Sequence, residues 1–183
     1  MVSEFRKKKY LEVFNAFDSD GSGTIEKKDF EMMAEGLAKS SDGTVDEEKH
    51  KVYLEILLKI WNGIQQVDTD KDGHVSADEW ISFWDSYAKN PSNPSPWQKL
   101  YSDFSFQLLD PGNDGSIDSD EFVKAYVSWG FKSNDAAAIF GKLSKGKPSI
   151  SRVEFDGLWK EYFTSEDVNA PGNLLFASPQ SSS

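Results

Sequence analysis

One segment, residues 68–79, constrains the fold of this chain more than any other. It reads D-T-D-K-D-G-H-V-S-A-D-E, so the donors at loop positions 1, 3, 5, 7 and 12 are Asp68, Asp70, Asp72, the His74 carbonyl and Glu79. Such an oxygen-only set suits a hard cation, most simply Ca2+. Gly73 at position 6 permits a sharp bend at positive φ, and Val75 at position 8 is expected in a short strand. An acidic surface turn is the alternative, but it would not require six positions to agree.

A second copy of this pattern occupies residues 18–29, with one informative change at position 12. Its candidate ligands are Asp18, Asp20, Ser22, the Thr24 carbonyl, Glu26 and Asp29. Aspartate is one methylene shorter than glutamate, so Asp29 binds in bidentate fashion less easily, and Glu26 at position 9 is expected to reach the ion directly. The result is a smaller, six-coordinate site. Because Mg2+ demands octahedral geometry at short distances, this site is expected to accept Mg2+ as well as Ca2+.

Residues 110–121 form a third copy in which one ligand is missing. The candidate ligands are Asp110, Asp114, the Ser116 carbonyl, Asp118 and Glu121. Position 3 is Gly112, which offers no side-chain oxygen. Water or a direct bond from Asp118 has to complete the coordination sphere. We expect this loop to bind Ca2+, as the third of three sites.

A fourth copy at residues 143–154 retains the strand position and loses the ligands. With Ile150 aligned on position 8, the residues at positions 1, 3 and 5 are Leu143, Lys145 and Lys147. Hydrocarbon and ammonium groups cannot coordinate a dication, so this loop is expected to hold no metal. Ile150 is still expected to pair with Ile117 across a two-stranded ribbon, as Ile25 is expected to pair with Val75.

Apolar residues recur at helical spacing on both sides of every loop. This periodicity predicts an all-α fold of four helix-loop-helix repeats in two pairs, with short ribbons between paired loops. The stretch 45–67 is predicted to be a long helix that Thr44 or Asp46 caps. The basic run 6–9 is interpreted as a solvated face of the first helix.

The proline-rich segment 90–96 cannot continue a helix and is placed at the boundary between the two pairs. The predicted domains are therefore 1–90 and 91–163, followed by a tail at 164–183. The tail is rich in Ser, Pro, Gly and Asn, but its three consecutive apolar residues are expected to pack back onto the fold. These residues are Leu174, Leu175 and Phe176.

Charge and composition exclude several classes of partner. The formal net charge of −11 argues against binding nucleic acid or adhering to anionic membranes. The chain has no cysteine and therefore no disulfide framework, which fits a reducing cytosol. It contains neither a secretory apolar region nor a run of about 18 apolar residues, so a cytoplasmic protein without membrane insertion is expected.

Three intact loops and one vestigial loop identify the chain as a member of the EF-hand superfamily. Four features narrow the resemblance: the Asp-terminated first loop, the long helix before the second loop, the disabled fourth loop and the ending L-W-K-E-Y-F-T-S-E-D-V-N-A-P-G-N-L-L-F. They resemble the invertebrate sarcoplasmic calcium-binding proteins, and the ending is especially similar to calexcitin. The resemblance implies a compact cytosolic protein with two facing EF-hand pairs that binds Ca2+ and, at some sites, Mg2+.

Two binding functions compete on the sequence. A calmodulin-like sensor opens a methionine-lined groove, whereas this chain has only 3 methionines. Its abundant Trp, Phe and Tyr residues pack rigidly and favour a closed protein. A monomeric Ca2+/Mg2+ buffer is therefore predicted. The alternative is a calexcitin-like sensor that contacts a protein partner or a membrane on binding Ca2+, with the basic run 6–9 serving that contact.

Two further classes are disfavoured. Coelenterazine-binding photoproteins share the architecture but place histidines in their ligand cavity, and this chain has only His50 and His74. No nucleophile, phosphate-loop or zinc-protease motif of an enzyme occurs. We therefore predict neither catalysis nor an organic cofactor.

Overall fold

The computed structural model describes residues 1–177, which form eight α-helices, four short strands and one 3-10 helix. The helices are α1 (Glu4–Phe17), α2 (Lys27–Ala38), α3 (Glu47–Ile64), α4 (Ala77–Lys89), α5 (Pro96–Leu109), α6 (Ser119–Ser128), α7 (Ser133–Leu143) and α8 (Arg152–Thr164). The strands are β1 (Thr24–Ile25), β2 (Val75–Ser76), β3 (Ser116–Asp118) and β4 (Ser149–Ser151), and the 3-10 helix is η1 (Pro171–Leu174). The predicted all-α class of four helix-loop-helix repeats with short ribbons is confirmed.

Two units make up the chain, and each contains two of the four loops. The first unit comprises residues 1–2 and 10–101, and the second comprises residues 3–9 and the chain from Ser102 onward. The division falls within α1 and α5, not in the proline-rich segment 90–96. The predicted domain limits at residues 90 and 163 stay predictions, and the last six residues of the predicted tail, 178–183, lie outside the described part of the chain.

Each unit contains one antiparallel ribbon that joins its two loops. In the first unit β1 pairs with β2 and aligns Ile25 with Val75, and in the second β3 pairs with β4 and aligns Ile117 with Ile150. Both predicted pairings are confirmed. All four side chains are buried, so each ribbon fixes its two loops side by side over the core of its unit.

The core of the first unit is built from tryptophans. Trp80, Trp84 and Trp97 are fully buried, and the Trp80 and Trp97 ring centroids lie 6.0 Å apart. Gly63 allows α3 to approach this cluster, because a Cβ atom at that position would lie 2.3 Å from the Trp97 Cβ. The indole nitrogen of Trp80 donates a hydrogen bond to the Tyr10 carbonyl at 2.9 Å. Rings of this size bury a large apolar area in fixed orientations.

Local signals in the sequence explain where the long helix begins. The predicted helix at 45–67 is observed as α3, Glu47–Ile64. The Asp46 side chain accepts a hydrogen bond from the Lys49 N–H, so Asp46 provides the cap. Within residues 1–177, no helix combines the length and the apolar character that a bilayer crossing requires.

The basic run 6–9 differs from its predicted role as a solvated face. Lys9 is only 4% exposed, and Arg6 forms an ion pair with Glu166 at 2.5 Å. The prediction was wrong for these two residues. Their partners lie far along the chain, and helical periodicity carries no information about such contacts.

Candidate metal-binding loops

The first loop (18–29), second loop (68–79) and third loop (110–121) share one backbone arrangement. In each, the N–H of the glycine at position 6 donates to the carboxylate at position 1, over 2.8, 3.0 and 2.9 Å respectively. The glycines have φ angles of 89°, 91° and 86°, a region that residues with a side chain rarely adopt. The bend predicted at position 6 therefore folds each loop over its own first carboxylate. The residue pairs are Gly23 with Asp18, Gly73 with Asp68 and Gly115 with Asp110.

The carboxylate at position 12 ties the two ends of each loop together. One of its oxygens accepts the N–H of position 9 and the other accepts the N–H of position 3. The distances are 2.8 and 3.2 Å for Asp29, 2.9 and 3.4 Å for Glu79, and 3.1 and 3.2 Å for Glu121. These two hydrogen bonds thus fix the position 12 carboxylate within each loop without requiring a bound ion.

The second loop brings three acidic side chains together. Carboxylate oxygens of Asp68, Asp70 and Glu79 all lie within 4.8 Å of one another. The Asp68 Oδ1 atom is buried and has no hydrogen-bond partner in the described structure. A buried anionic oxygen without a partner is costly, so the donor set fits a divalent cation.

The crowding of carboxylates in the second loop affects the pKa values of its acidic residues. The hydrogen bond from the Asp72 N–H lowers the pKa of Asp70, but burial and repulsion from Asp72 and Glu79 outweigh it, and the pKa is raised overall. Burial raises the pKa of Glu79, but hydrogen bonds from Ser76 and Thr69 lower it to about 2. Glu79 is therefore ionised at neutral pH and available as a ligand.

The first loop also brings three carboxylates together, from Asp18, Asp20 and Asp29, within 4.8 Å. Asp29 is fully buried, and this burial raises its pKa. Lys28 lies at the rim, with its ammonium 3.1 Å from Asp20 Oδ2, and this hydrogen bond lowers the pKa of Asp20. Glu26 is not a member of the group. Its Oε2 atom lies 3.7 Å from His74 Nδ1, across the β1–β2 ribbon.

The third loop has the same backbone arrangement without the same convergence. Among residues 1–177, the groups of three carboxylates within 4.8 Å belong to the first and second loops. Asp118 Oδ1 accepts the Glu121 N–H at 2.8 Å and so caps α6. Asp114 Oδ1 accepts both the N–H and the hydroxyl of Ser116, each at 2.9 Å. The absence of a side chain at Gly112 leaves position 3 open.

The remaining predicted ligands lie on the loops in ordinary turn contacts. The Ser22 hydroxyl donates to the Thr24 carbonyl at 3.1 Å. Asp72 Oδ1 accepts the His74 N–H at 2.9 Å, and the His74 side chain is 44% exposed. These groups lie within their loops but outside the two carboxylate groups.

The fourth loop (143–154) carries its own cation. The Lys147 ammonium at position 5 contacts the Glu154 carboxylate at position 12. This hydrogen bond, followed by one from the Ser151 N–H, lowers the pKa of Glu154 to about 2. On the sequence alone, Lys147 predicts only the loss of metal binding. A lysine at position 5 facing a retained glutamate at position 12 was the signal that could have revealed the pair.

Comparison with known proteins supports the class that these loops define. Residues 7–84 match the family model of the EF-hand domain pair. The chain is 23% identical to the sarcoplasmic calcium-binding proteins I, III and IV of Branchiostoma lanceolatum over 184 residues, covering 97% of this chain and 100% of the relative. It is 30% identical to the sarcoplasmic calcium-binding protein of Hediste diversicolor over 109 residues, covering 60% of each.

The solved structures agree. A sarcoplasmic calcium-binding protein from amphioxus matches with a TM-score of 0.79 at 23% identity, over 98% of this chain and 100% of that one. The chain therefore has an EF-hand fold, and its residues 7–84 form an EF-hand domain pair. The curated relatives and the structural neighbour are sarcoplasmic calcium-binding proteins of invertebrates, the family that the sequence resembles. These relatives point to a protein that is not an enzyme, as the sequence predicts.

Proposed function

We propose that the chain is a Ca2+/Mg2+ buffer that binds divalent cations in its first, second and third loops. The observation that carries this proposal is the carboxylate group of the second loop, in which Asp68 Oδ1 is buried without a partner. A divalent cation neutralises such a group when it binds. The shared arrangement of positions 1, 6 and 12 extends the proposal to the other two loops.

The three sites are proposed to differ in selectivity. The second loop ends in Glu79, which can bind in bidentate fashion and suits the larger Ca2+ ion. The first loop ends in the shorter Asp29 and is proposed to accept Mg2+ as well as Ca2+. The third loop lacks a side-chain oxygen at Gly112, so water or Asp118 has to complete its sphere. We propose that the second loop is the most Ca2+-selective of the three.

The contacts of the basic run 6–9 favour a buffer over a sensor. Under the sensor hypothesis this run was the candidate contact surface for a partner or membrane. The Arg6 side chain is 11% exposed and is bound to Glu166, and Lys9 is buried. Lys8 is the one member of the run classed as exposed. Two of the four charges in the run, those of Arg6 and Lys9, are therefore engaged within the second unit.

Location and assembly are part of the same proposal. The relatives from Branchiostoma and Hediste are named as sarcoplasmic proteins, and the chain contains no cysteine. We propose that it acts as a monomer in the cytosol, with calcium ions as its ligands. No protein partner is required for buffering.

Exposed apolar surface distinguishes the two functions. A hydrophobic dye is added to the protein in chelator, in Mg2+ and in Ca2+, and its emission is compared among the three. The buffer hypothesis predicts weak emission in all three states. Strong emission with Ca2+ and not with Mg2+ would contradict it and favour the sensor. Calorimetric titration with Ca2+ in the presence and absence of about millimolar Mg2+ then identifies the site that Mg2+ occupies.

A further inference from the structure

The residues that follow α8 are docked on the second unit. We call residues 165–177 the tail segment; it includes η1. Leu175 is 3% exposed, and the Phe176 ring centroid lies 5.0 Å from that of Tyr162 and 6.0 Å from that of Phe163. The Tyr126 hydroxyl donates a hydrogen bond to the Leu175 carbonyl. The segment therefore contacts α6 and α8 with both side chains and backbone.

The closest approach occurs at Gly172. Its N–H donates to Glu161 Oε2 at 2.6 Å. A Cβ atom at this position would lie 2.7 Å from the Leu158 carbonyl oxygen, which belongs to the backbone of α8 and cannot move aside. The α8 surface thus admits a glycine at this point of the tail and excludes a larger residue. Such steric selectivity is expected of a binding groove.

Polar contacts from the start of α1 hold the other end of the tail segment. The Ser3 hydroxyl and the Arg6 guanidinium both bind the Glu166 carboxylate, at 2.6 and 2.5 Å. The buried Lys9 ammonium donates to the Ser165 carbonyl at 3.0 Å and to Asn173 Oδ1 at 2.9 Å. These contacts join residues more than 150 positions apart in the sequence, so they serve the tail and not the local helix.

We propose that the surface of α6, α7 and α8, each of which the tail segment contacts, is a peptide-binding groove whose resident ligand is that segment of the same chain. Its ligand class is a short peptide that presents, in order, a glycine against Leu158 and Glu161, a buried aliphatic residue and an aromatic ring. Apolar grooves between helices of this kind recognise peptides through a few anchors at fixed spacing. Occupation in cis keeps Tyr126, Tyr162 and Phe163 buried.

This inference goes beyond buffering and does not depend on it. A chain that binds no metal could still dock its tail, and a buffer could function with an open groove. A sensor would expose this apolar face to a target protein, whereas here the tail segment covers it. On this account the second unit can bind a peptide, and its own tail prevents it from binding others.

The test uses the full chain carrying Gly172→Ala and a labelled synthetic peptide of residues 165–177. The substitution is expected to displace the tail, so the variant binds the peptide at least about tenfold more tightly than the unsubstituted protein. Dye emission should rise in parallel. Gly157→Ala is the matched control, because Gly157 lies in α8 with no atom within 4 Å of an added Cβ. It should behave like the unsubstituted protein.

A second variant protects the test against misfolding. Leu175→Ala removes a buried side chain without introducing a clash, and it should also raise peptide binding. A peptide that itself carries Gly172→Ala should fail to bind either variant. Equal binding of the peptide to all proteins, or no binding to a folded Gly172→Ala or Leu175→Ala chain, would overturn the proposal. Circular dichroism establishes that each variant is folded.

Discussion

The third and fourth loops lie side by side across the β3–β4 ribbon. They share one half of the loop structure and differ in the other half. Both retain the half that pairs and caps: the N–H of position 9 reaches the position 12 carboxylate at 3.1 Å in the third loop and at 2.9 Å in the fourth. They differ at positions 1 to 6. The third loop has Asp110 and Gly115 at positions 1 and 6, and the fourth has Leu143 and Pro148.

The backbone follows this difference in residues. In the fourth loop α7 continues through Leu143, and the Gly146 N–H closes the helix end by donating to the Gly141 carbonyl at 3.0 Å. Positive φ falls on Lys145 and Gly146, at positions 3 and 4, while Pro148 has no N–H to donate. The ribbon half of the loop is therefore retained where the ligand half is lost, and in the fourth loop the Lys147 ammonium contacts the position 12 carboxylate instead.

The largest expected effect comes from the two position 12 glutamates. Glu121→Gln should weaken Ca2+ binding at the third loop by at least about a hundredfold, because it removes a charged ligand and not merely a supporting contact. Glu154→Gln should leave the number of bound ions unchanged. Calorimetric titration of both variants checks the pair. If Glu154→Gln bound one ion fewer than the unsubstituted chain, the fourth loop would be a metal site like the third, contrary to the proposal.

Position 6 gives the next largest effect. Gly115 has a φ of 86°, so Gly115→Ala should destabilise the second unit by about 1–2 kcal/mol. It should also weaken the third site, since the Gly115 N–H orients Asp110. Pro148→Ala at the matching position should change little, because that residue supplies no donor. Urea unfolding of the two variants provides the measurement, and equal destabilisation would contradict the account.

The open position in the third loop predicts a smaller gain. Gly112→Asp supplies the missing carboxylate and should tighten Ca2+ binding at this loop several-fold. An added Cβ would lie 3.0 Å from Glu121 Oε1, so the glutamate side chain has to shift slightly. Titration in competition with a chelator measures the change. Weaker binding than in the unsubstituted chain would show that Gly112 is required for the approach of Glu121.

The smallest expected effect comes from removing the Lys147 ammonium group. Lys147→Met should lower the melting temperature slightly and in a salt-dependent way, because ion pairs on exposed side chains contribute little. Lys145→Met, two residues earlier in the same loop, is the control and should lack this salt dependence.

The pH dependence of this pair has a defined sign. The pKa of Glu154 is lowered from 4.5 to about 2 in the folded protein. Its contribution is therefore fully present above the unfolded value and is lost as pH falls from about 4.5 towards 2. Melting temperatures of the two lysine variants measured across this range should converge at the acid end. A constant difference between them would argue against the Lys147–Glu154 contact.

Most of the fold could be predicted from the sequence, because each loop motif fixes where a strand pairs and where a helix begins. The pairing of Ile117 with Ile150 followed from position 8 alone. The engagement of Lys9 with the tail could not be predicted, since its partners lie more than 150 residues away. The proximity of Glu26 to His74 could not be predicted for a similar reason, because His74 belongs to the other loop and lies across the ribbon.

The central claim is that three of the four loops bind metal, and one titration tests it most directly. Ca2+ is titrated calorimetrically into the unsubstituted chain, into Glu79→Gln and into Glu154→Gln. The account predicts three ions for the unsubstituted chain, two for Glu79→Gln and three for Glu154→Gln. Four ions in the unsubstituted chain, or three in Glu79→Gln with unchanged affinity, would contradict it.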